Sequence, residues 1–104
     1  MKSVGYGHGD VIRGLAKSWN AGIEPWTLIE KDGRYYGRGT ADNKGQHTIN
    51  LAALDAVLKA RGALGFNAKW LIEMGEETGS RGLREVCEAN KALLKSDVFI
   101  ASDG

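Results

Sequence analysis

Strand-like and helix-like segments alternate along this chain. Extended, largely apolar runs occupy residues 4–6, 66–74 and 97–102. Between them, residues 43–61 repeat apolar side chains at helical spacing, and residues 80–95 are amphipathic. Parallel strands joined in this way need crossover helices that pack on the faces of the sheet. The alternation therefore predicts an α/β fold, a mainly parallel sheet with helices on its faces in three αβα layers.

Local signals set the limits of these elements. Gly62 ends the first helix pattern, which is apolar on much of its circumference and is expected to pack against a sheet. Ser80 is suited to N-cap the second helix. The final run, 97–102, has the composition of a buried strand. Two further extended runs, 26–30 and 34–36, flank an Asp-Gly turn and predict a small antiparallel hairpin.

Size and charge narrow the class of protein. A chain of 104 residues suffices for one modest hydrophobic core, so residues 1–104 are expected to form a single domain. With 14 basic and 13 acidic side chains, the formal net charge of +1 favours neither a nucleic acid nor a membrane surface as partner. Cys87 is the only cysteine, and the first residues lack the apolar core of a signal peptide. Composition therefore predicts a soluble, cytoplasmic protein.

Acidic residues and a histidine follow the strands of the predicted sheet. Because ligands collect beyond the carboxyl ends of parallel strands, side chains placed there are candidates for a site. These candidates are His8, Asp10, Asp42, Glu76, Glu77 and Asp103. Several carboxylates gathered around one imidazole repel one another unless they take up protons or bind a cation. Histidine nitrogen with carboxylate oxygen suits zinc or a similar divalent metal.

Each of these residues also has a simpler interpretation. The glycines of "GYGHGDV" fit a dinucleotide-binding loop, although no helix pattern opens directly after them. Glu76 and Glu77 fit favourable charges near the N-terminus of the following helix. Asp42 fits an N-cap for the helix that starts at Asn43. The pattern of residues alone leaves these alternatives open.

Four ordered motifs, "GHGDV", "YYGRGTADNKGQ", "EMGEETGS" and the terminal "SDG", carry a family resemblance. Together they resemble the co-catalytic zinc metallopeptidases, the family of aminoacylase, carboxypeptidase G, acetylornithine deacetylase, succinyl-diaminopimelate desuccinylase and the carnosine-type dipeptidases. The resemblance runs from Gly5 to Gly104. It implies that residues 1–104 form a single partial zinc-peptidase catalytic domain.

The resemblance also implies a role for each candidate residue. The implied metal ligands are His8, Asp42, Glu77 and Asp103. Asp42 would bridge two zinc ions, for which cobalt or manganese are alternatives. Asp10 would orient the imidazole of His8, and Glu76 would be the general base that takes a proton from the attacking water. A cis peptide bond is implied between Asp42 and Asn43.

The implied activity is hydrolysis of an amide bond in a small peptide or an N-acyl amino acid. The family also has an N-terminal segment, a lid domain through which its members are often homodimeric, and a distant C-terminal histidine, none of which we expect within these 104 residues. We therefore expect an incomplete metal site and little activity. His47, near the start of the helix, could replace the missing ligand or be solvated. A competing hypothesis is a non-catalytic folding or interaction module.

Overall fold

A parallel three-stranded sheet forms the centre of the structure, a computed structural model that describes residues 1–103. Strand β1 (Lys2–His8) lies between β4 (Asn67–Glu73) and β5 (Val98–Ala101), and both pairs are parallel. The carboxyl ends of all three strands therefore meet at one edge of the sheet. This arrangement confirms the predicted α/β class. β1 is longer at both ends than the apolar run at 4–6.

Helix α1 (Lys44–Arg61) lies against one face of the sheet. Gly7 in β1 allows this close approach, since a Cβ there would collide with the ring of His47 in α1. A Cβ at Gly5 would collide with the ring of Trp70 from the neighbouring strand β4. Both glycines lie within a strand, and β1 is followed by loop, so the glycines do not form a dinucleotide-binding turn. The predicted packing of this helix against the sheet is confirmed.

A small hairpin stands beside the main sheet. Strands β2 (Ile29–Lys31) and β3 (Arg34–Tyr36) pair in antiparallel fashion, as predicted, although β2 starts later than the extended run at 26–30. Asp32 and Gly33 have φ angles of 52° and 71°, the left-handed values that a tight two-residue hairpin turn requires. The loop that precedes the hairpin contains a short 3-10 helix, Ala16–Ser18, which no pattern in the sequence indicated.

The predicted second helix is shorter than expected and is broken. It consists of α2 (Leu83–Ala89) and α3 (Lys91–Leu94). The proposed N-cap at Ser80 is wrong, because the capping position is Gly82 and the backbone of Ser80 is left-handed, with a φ angle of 50°. The Ser80 hydroxyl instead donates a hydrogen bond to Glu73.

The other face of the sheet is only loosely covered by α2 and α3. Between them and the sheet lies an open cavity of about 810 Å³, whose apolar lining includes Val4, Leu71 and Phe99. The prediction of a buried last strand is wrong, since Phe99 is 61% exposed. The radius of gyration is 16.4 Å, against about 13 Å for a compact domain of this length. Large apolar surfaces of this chain are therefore open to solvent.

Among the helices of residues 1–103, none combines the length and the apolar character that a membrane span requires.

α1 ends at Gly62, which has a φ angle of 73° and donates its N–H to the carbonyl of Leu58. Lys59 and Arg61 in its last turn complement the helix dipole.

Candidate metal centre

The candidate residues of the sequence analysis gather at the carboxyl edge of the sheet. His8 is the last residue of β1, and Asp10 follows it in the loop. Glu76 and Glu77 lie in a 3-10 helix, Glu76–Thr78, just beyond β4. Asp103 lies two residues beyond β5, and Asp42 directly precedes the N-cap of α1. Parallel pairing of the strands is what brings these distant parts of the chain together.

His8 lies at the centre of this cluster and is fully buried. Its Nε2 atom is 3.0 Å from Oδ1 of Asp42. The same atom is 3.7 Å from Oε2 of Glu76 and 3.7 Å from Oδ1 of Asp103. Three carboxylates therefore surround one ring nitrogen. The side chain of Asp42 is 54% exposed, so the cluster opens to solvent on that side.

Asp10 contacts both the imidazole and the glutamate pair. Its backbone carbonyl lies 3.2 Å from Nδ1 of His8, and its Oδ1 lies 3.3 Å from the same nitrogen. Its carboxylate also accepts hydrogen bonds from the backbone N–H groups of Glu76, at 3.2 Å, and Glu77, at 3.1 Å. Nδ1 is therefore directed toward Asp10, which leaves Nε2 to face the acidic cluster. The second contact of Asp10, to the glutamate pair, was not predicted from the sequence.

Two overlapping groups of donor atoms fit a divalent metal. His8, Asp42 and Glu77 each offer one atom within 4.8 Å of the others, and so do His8, Glu76 and Asp103. One imidazole nitrogen with carboxylate oxygens is the donor chemistry of zinc and related metals. The chemistry and spacing of the residues therefore fit a metal, although Glu76 joins a donor group here instead of standing apart as a base.

Asn43 is a fully buried hydrogen-bonding residue that the sequence analysis did not single out. Its Oδ1 accepts the backbone N–H of His8 at 3.0 Å. Its Nδ2 donates to the carbonyl of Ser102 at 2.5 Å and to Oδ1 of Asp103 at 3.2 Å. One amide thereby connects the end of β1 with the segment after β5. An asparagine in a capping position gives no sequence signal for such a role.

The start of α1 departs from two sequence-based alternatives. The N-cap is Asn43, not Asp42. His47 is 7% exposed, so it is not a solvated histidine. Its Nδ1 lies 3.2 Å from Oδ1 of Asn43, and neither donor group found among residues 1–103 includes it. His47 therefore packs between helix and sheet and does not replace a missing ligand. The peptide bond between Asp42 and Asn43 is cis.

The acidic surroundings shift the pKa values of the central groups. Burial lowers the pKa of His8, but the hydrogen bond to the Asp10 carbonyl and the nearby negative charges outweigh burial and raise it above 6.5. Partial burial raises the pKa of Glu76. His8 opposes this shift, while the neighbouring carboxylates Asp103, Glu77 and Asp42 reinforce it. Without a cation, the imidazole of His8 and the carboxyl of Glu76 thus retain their protons more strongly than they would in isolation.

The two histidines of the metal-free chain are expected to titrate on opposite sides of pH 6.5. The pKa of His47 is lowered from 6.5 by burial and by the charges of His8 and Lys44. The stabilising contribution of His8 is present below pH 6.5 and is lost as the pH rises through its raised pKa. That of His47 is present above pH 6.5 and is lost as the pH falls through its lowered pKa.

An NMR titration of the imidazole resonances, with chelator present, measures both midpoints. His47→Gln identifies the resonance of each ring. Coincident midpoints, or the reverse order, would contradict the electrostatic description of the cluster.

The chain is similar to known peptidases over almost its whole length. The model of peptidase family M20/M25/M40 matches residues 4–102. A cysteinylglycine-S-conjugate dipeptidase from Corynebacterium striatum is 38% identical over 101 residues, which are 95% of this chain and 22% of that protein. A beta-Ala-His dipeptidase from Homo sapiens is 39% identical over 101 residues, which are 94% of this chain and 20% of that protein.

Solved structures show the same similarity in three dimensions. Human carnosine dipeptidase 1 superimposes with a TM-score of 0.86 at 35% identity, covering 99% of this chain and 22% of that one. An M20 family metallo-carboxypeptidase from Sulfolobus solfataricus gives a TM-score of 0.87 at 33% identity, covering 96% and 22%. The chain spans about a fifth of the length of these relatives. On the family match, the sequence identities and the shared fold, it belongs to peptidase family M20/M25/M40.

Proposed function

We propose that residues 1–104 form the metal-binding part of an M20 catalytic domain that hydrolyses an amide bond in small peptides or N-acyl amino acids. The family consists of metal-dependent peptide hydrolases. The observation that carries the proposal is the pair of donor groups around His8 at the carboxyl edge of the sheet. The similarity to dipeptidases supports small peptides as the substrate class.

The proposed metal is zinc, two ions of which would be held by the carboxyl edge. The proposed ligands are His8, Asp42, Glu77 and Asp103. When bound, the metal supplies a Lewis acid that polarises the scissile carbonyl and lowers the pKa of water. The geometry that supports this assignment is the spacing of the donor atoms, since His8, Asp42 and Glu77 form one donor group and Asp103 belongs to the other.

Glu76 is the proposed general base. Its raised pKa brings the carboxyl closer to the range in which it can accept a proton from water and return it to the leaving amine. Asp10 holds the backbone of Glu76 and the ring of His8 at once, so base and ligand keep a defined separation. The role of Asp10 is to orient both groups.

The activity proposed for the isolated 104-residue chain is low. It contains four of the five ligand positions that the family resemblance implies, and His47 is directed elsewhere. The test of the metal site in this chain is a titration of the purified chain with zinc, monitored by calorimetry. Saturable, stoichiometric binding supports the proposal. Absence of binding up to millimolar zinc would contradict it.

Substituting Glu76 by glutamine is expected to abolish any hydrolysis of dipeptides or N-acyl amino acids while leaving zinc binding by the other donor group, His8, Asp42 and Glu77, in place. The amide cannot take up a proton at neutral pH, so the loss should be about 100-fold or more, the usual contribution of a general base. Release of free amine by the chain with added zinc measures this. Glu85→Ala, on the exposed side of α2, is a matched control.

Two results would overturn parts of this proposal. Unchanged activity in Glu76→Gln would remove Glu76 from the role of base. Efficient hydrolysis by the unmodified chain, abolished by Glu76→Gln, would show that the four ligand positions suffice.

The alternative function is a non-catalytic folding or interaction module without bound metal. The exposed apolar residues of β5 favour it, because uncovered sheet faces and edges associate readily. This alternative predicts association that depends on protein concentration and does not respond to zinc. Sedimentation of the chain with and without zinc separates it from the metal-binding proposal.

A further inference from the structure

Glu73, the last residue of β4, joins three parts of the chain near the metal edge. Its Oε1 accepts a hydrogen bond of 2.6 Å from the hydroxyl of Tyr6 in β1. The same oxygen accepts a hydrogen bond of 2.8 Å from the hydroxyl of Ser80. Its backbone carbonyl accepts the N–H of Gly9, at 2.9 Å. Neither donor group of the candidate metal centre contains Glu73.

These bonds close a loop that we call the glutamate turn, residues 75–80. The N–H of Ser80 donates to the carbonyl of Gly75 at 2.7 Å, so the two ends of the turn are held together. Ser80 has a left-handed backbone, with a φ angle of 50°, which is unfavourable for a residue with a side chain. The hydrogen bond from Ser80 to Glu73 therefore stabilises the turn at a residue with an unfavourable backbone conformation.

The opposite side of the glutamate turn is fastened to Asp10, through the backbone N–H groups of Glu76 and Glu77. Asp10 follows His8, and Gly9 between them is bonded to Glu73. The turn is thus fixed at two points, both anchored to the end of β1. Burial and the charge of Glu73 raise the pKa of Tyr6, which keeps its hydroxyl protonated as a donor.

We propose that Glu73 is a positioning residue that holds the glutamate turn, and with it Glu76 and Glu77, at the metal edge. The two bonds to its carboxylate are charge-assisted and therefore stronger than bonds between neutral groups. The inference rests on the proposed metal-binding function. Glu73 acts through the turn and does not itself contact metal or substrate.

The test compares Glu73→Ala with Glu73→Gln in the full 104-residue chain. Removing a residue bonded directly to a metal ligand typically weakens metal binding 10- to 100-fold. Glu73 acts one step further away, through the glutamate turn, so Glu73→Ala is expected to raise the zinc dissociation constant by about 10-fold, the lower end of that range. Glutamine keeps an oxygen acceptor and should stay within about 3-fold of the original. Competition with a chromogenic chelator measures the constants, and Glu85→Ala is the control for loss of a carboxylate elsewhere.

Hydrogen exchange in the zinc-free chain gives a second readout. In Glu73→Ala the backbone amides of Glu76 and Glu77 should exchange faster, while those in the middle of α1 should not change. Tyr6→Phe and Ser80→Ala, which each remove one donor, should give intermediate rates. This measurement decides the role of Glu73 even if the unmodified chain fails to bind zinc and the proposed function fails with it.

Two outcomes would overturn the inference. In one, Glu73→Ala matches Glu85→Ala in both zinc affinity and exchange of the glutamate turn. In the other, exchange rises equally in α1 and in the turn, which would make Glu73 a general contributor to stability. Faster exchange confined to the turn, with partial rescue by Glu73→Gln, supports it.

Discussion

Replacing His8 by glutamine is expected to abolish zinc binding by this chain. Both donor groups depend on this imidazole, so neither retains three donors without it. Even outer partners of metal ligands contribute roughly 10- to 100-fold to affinity, so loss of the shared ligand should exceed about 100-fold. Glutamine fills most of the buried volume of His8 and limits the damage to packing. Calorimetric titration with zinc measures the loss.

His47→Gln is the matched control, because it removes the other histidine of the chain and neither donor group contains that residue. Its zinc affinity should remain close to that of the unmodified chain. Circular dichroism of both variants establishes that each still folds. If a folded His8→Gln chain bound zinc as tightly as His47→Gln, the centre at the carboxyl edge would be wrong.

Replacing Asn43 by alanine is expected to lower the free energy of unfolding by about 3 kcal/mol. The amide is fully buried, and its loss leaves the backbone N–H of His8 and the carbonyl of Ser102 without their partner. A buried polar group without a partner keeps its desolvation cost and gains nothing in return. Urea unfolding monitored by tryptophan fluorescence measures the change.

Asn90→Ala is the matched control for Asn43→Ala. Asn90 is exposed between α2 and α3, and its side chain bonds only locally, to the carbonyl of Val86. Its replacement should change stability by less than about 1 kcal/mol. Equal losses in the two variants would contradict the central place that we assign to the Asn43 amide.

The sequence predicted those features that follow from periodicity and strand order. Alternating elements required parallel strands, and parallel strands required that His8, Glu76 and Asp103 meet at one edge. The hairpin was predictable because Asp32 and Gly33 accept the backbone angles that its turn requires. Such features depend on local chemistry and on topology, and both can be inferred from the order of residue types along the chain.

Features that depend on tertiary contacts were not predictable in the same way. Serine is a residue type that often caps helices, which is why Ser80 was predicted as an N-cap. Its hydroxyl instead bonds to Glu73 and its backbone is left-handed, so the helix starts later. The run at the last strand is apolar enough for a core, yet its burial depends on what covers it. The role of Asn43 follows no sequence pattern, because three of its partners, His8, Ser102 and Asp103, lie far away along the chain.

Strand β1 occupies the middle of the sheet although it comes first in the chain. Its two neighbours are made of residues 67–73 and 98–101, so the sheet closes only when nearly the whole chain is in place. His8 and Asp103 stand 95 positions apart and are within 3.7 Å of each other in the folded state. Contacts between such distant positions form slowly, because closing a long loop costs entropy before the contact can stabilise the chain. Zinc binding at this edge requires that both of these distant segments are in place. The signal of a spectroscopic metal probe would therefore measure when the sheet is completely folded.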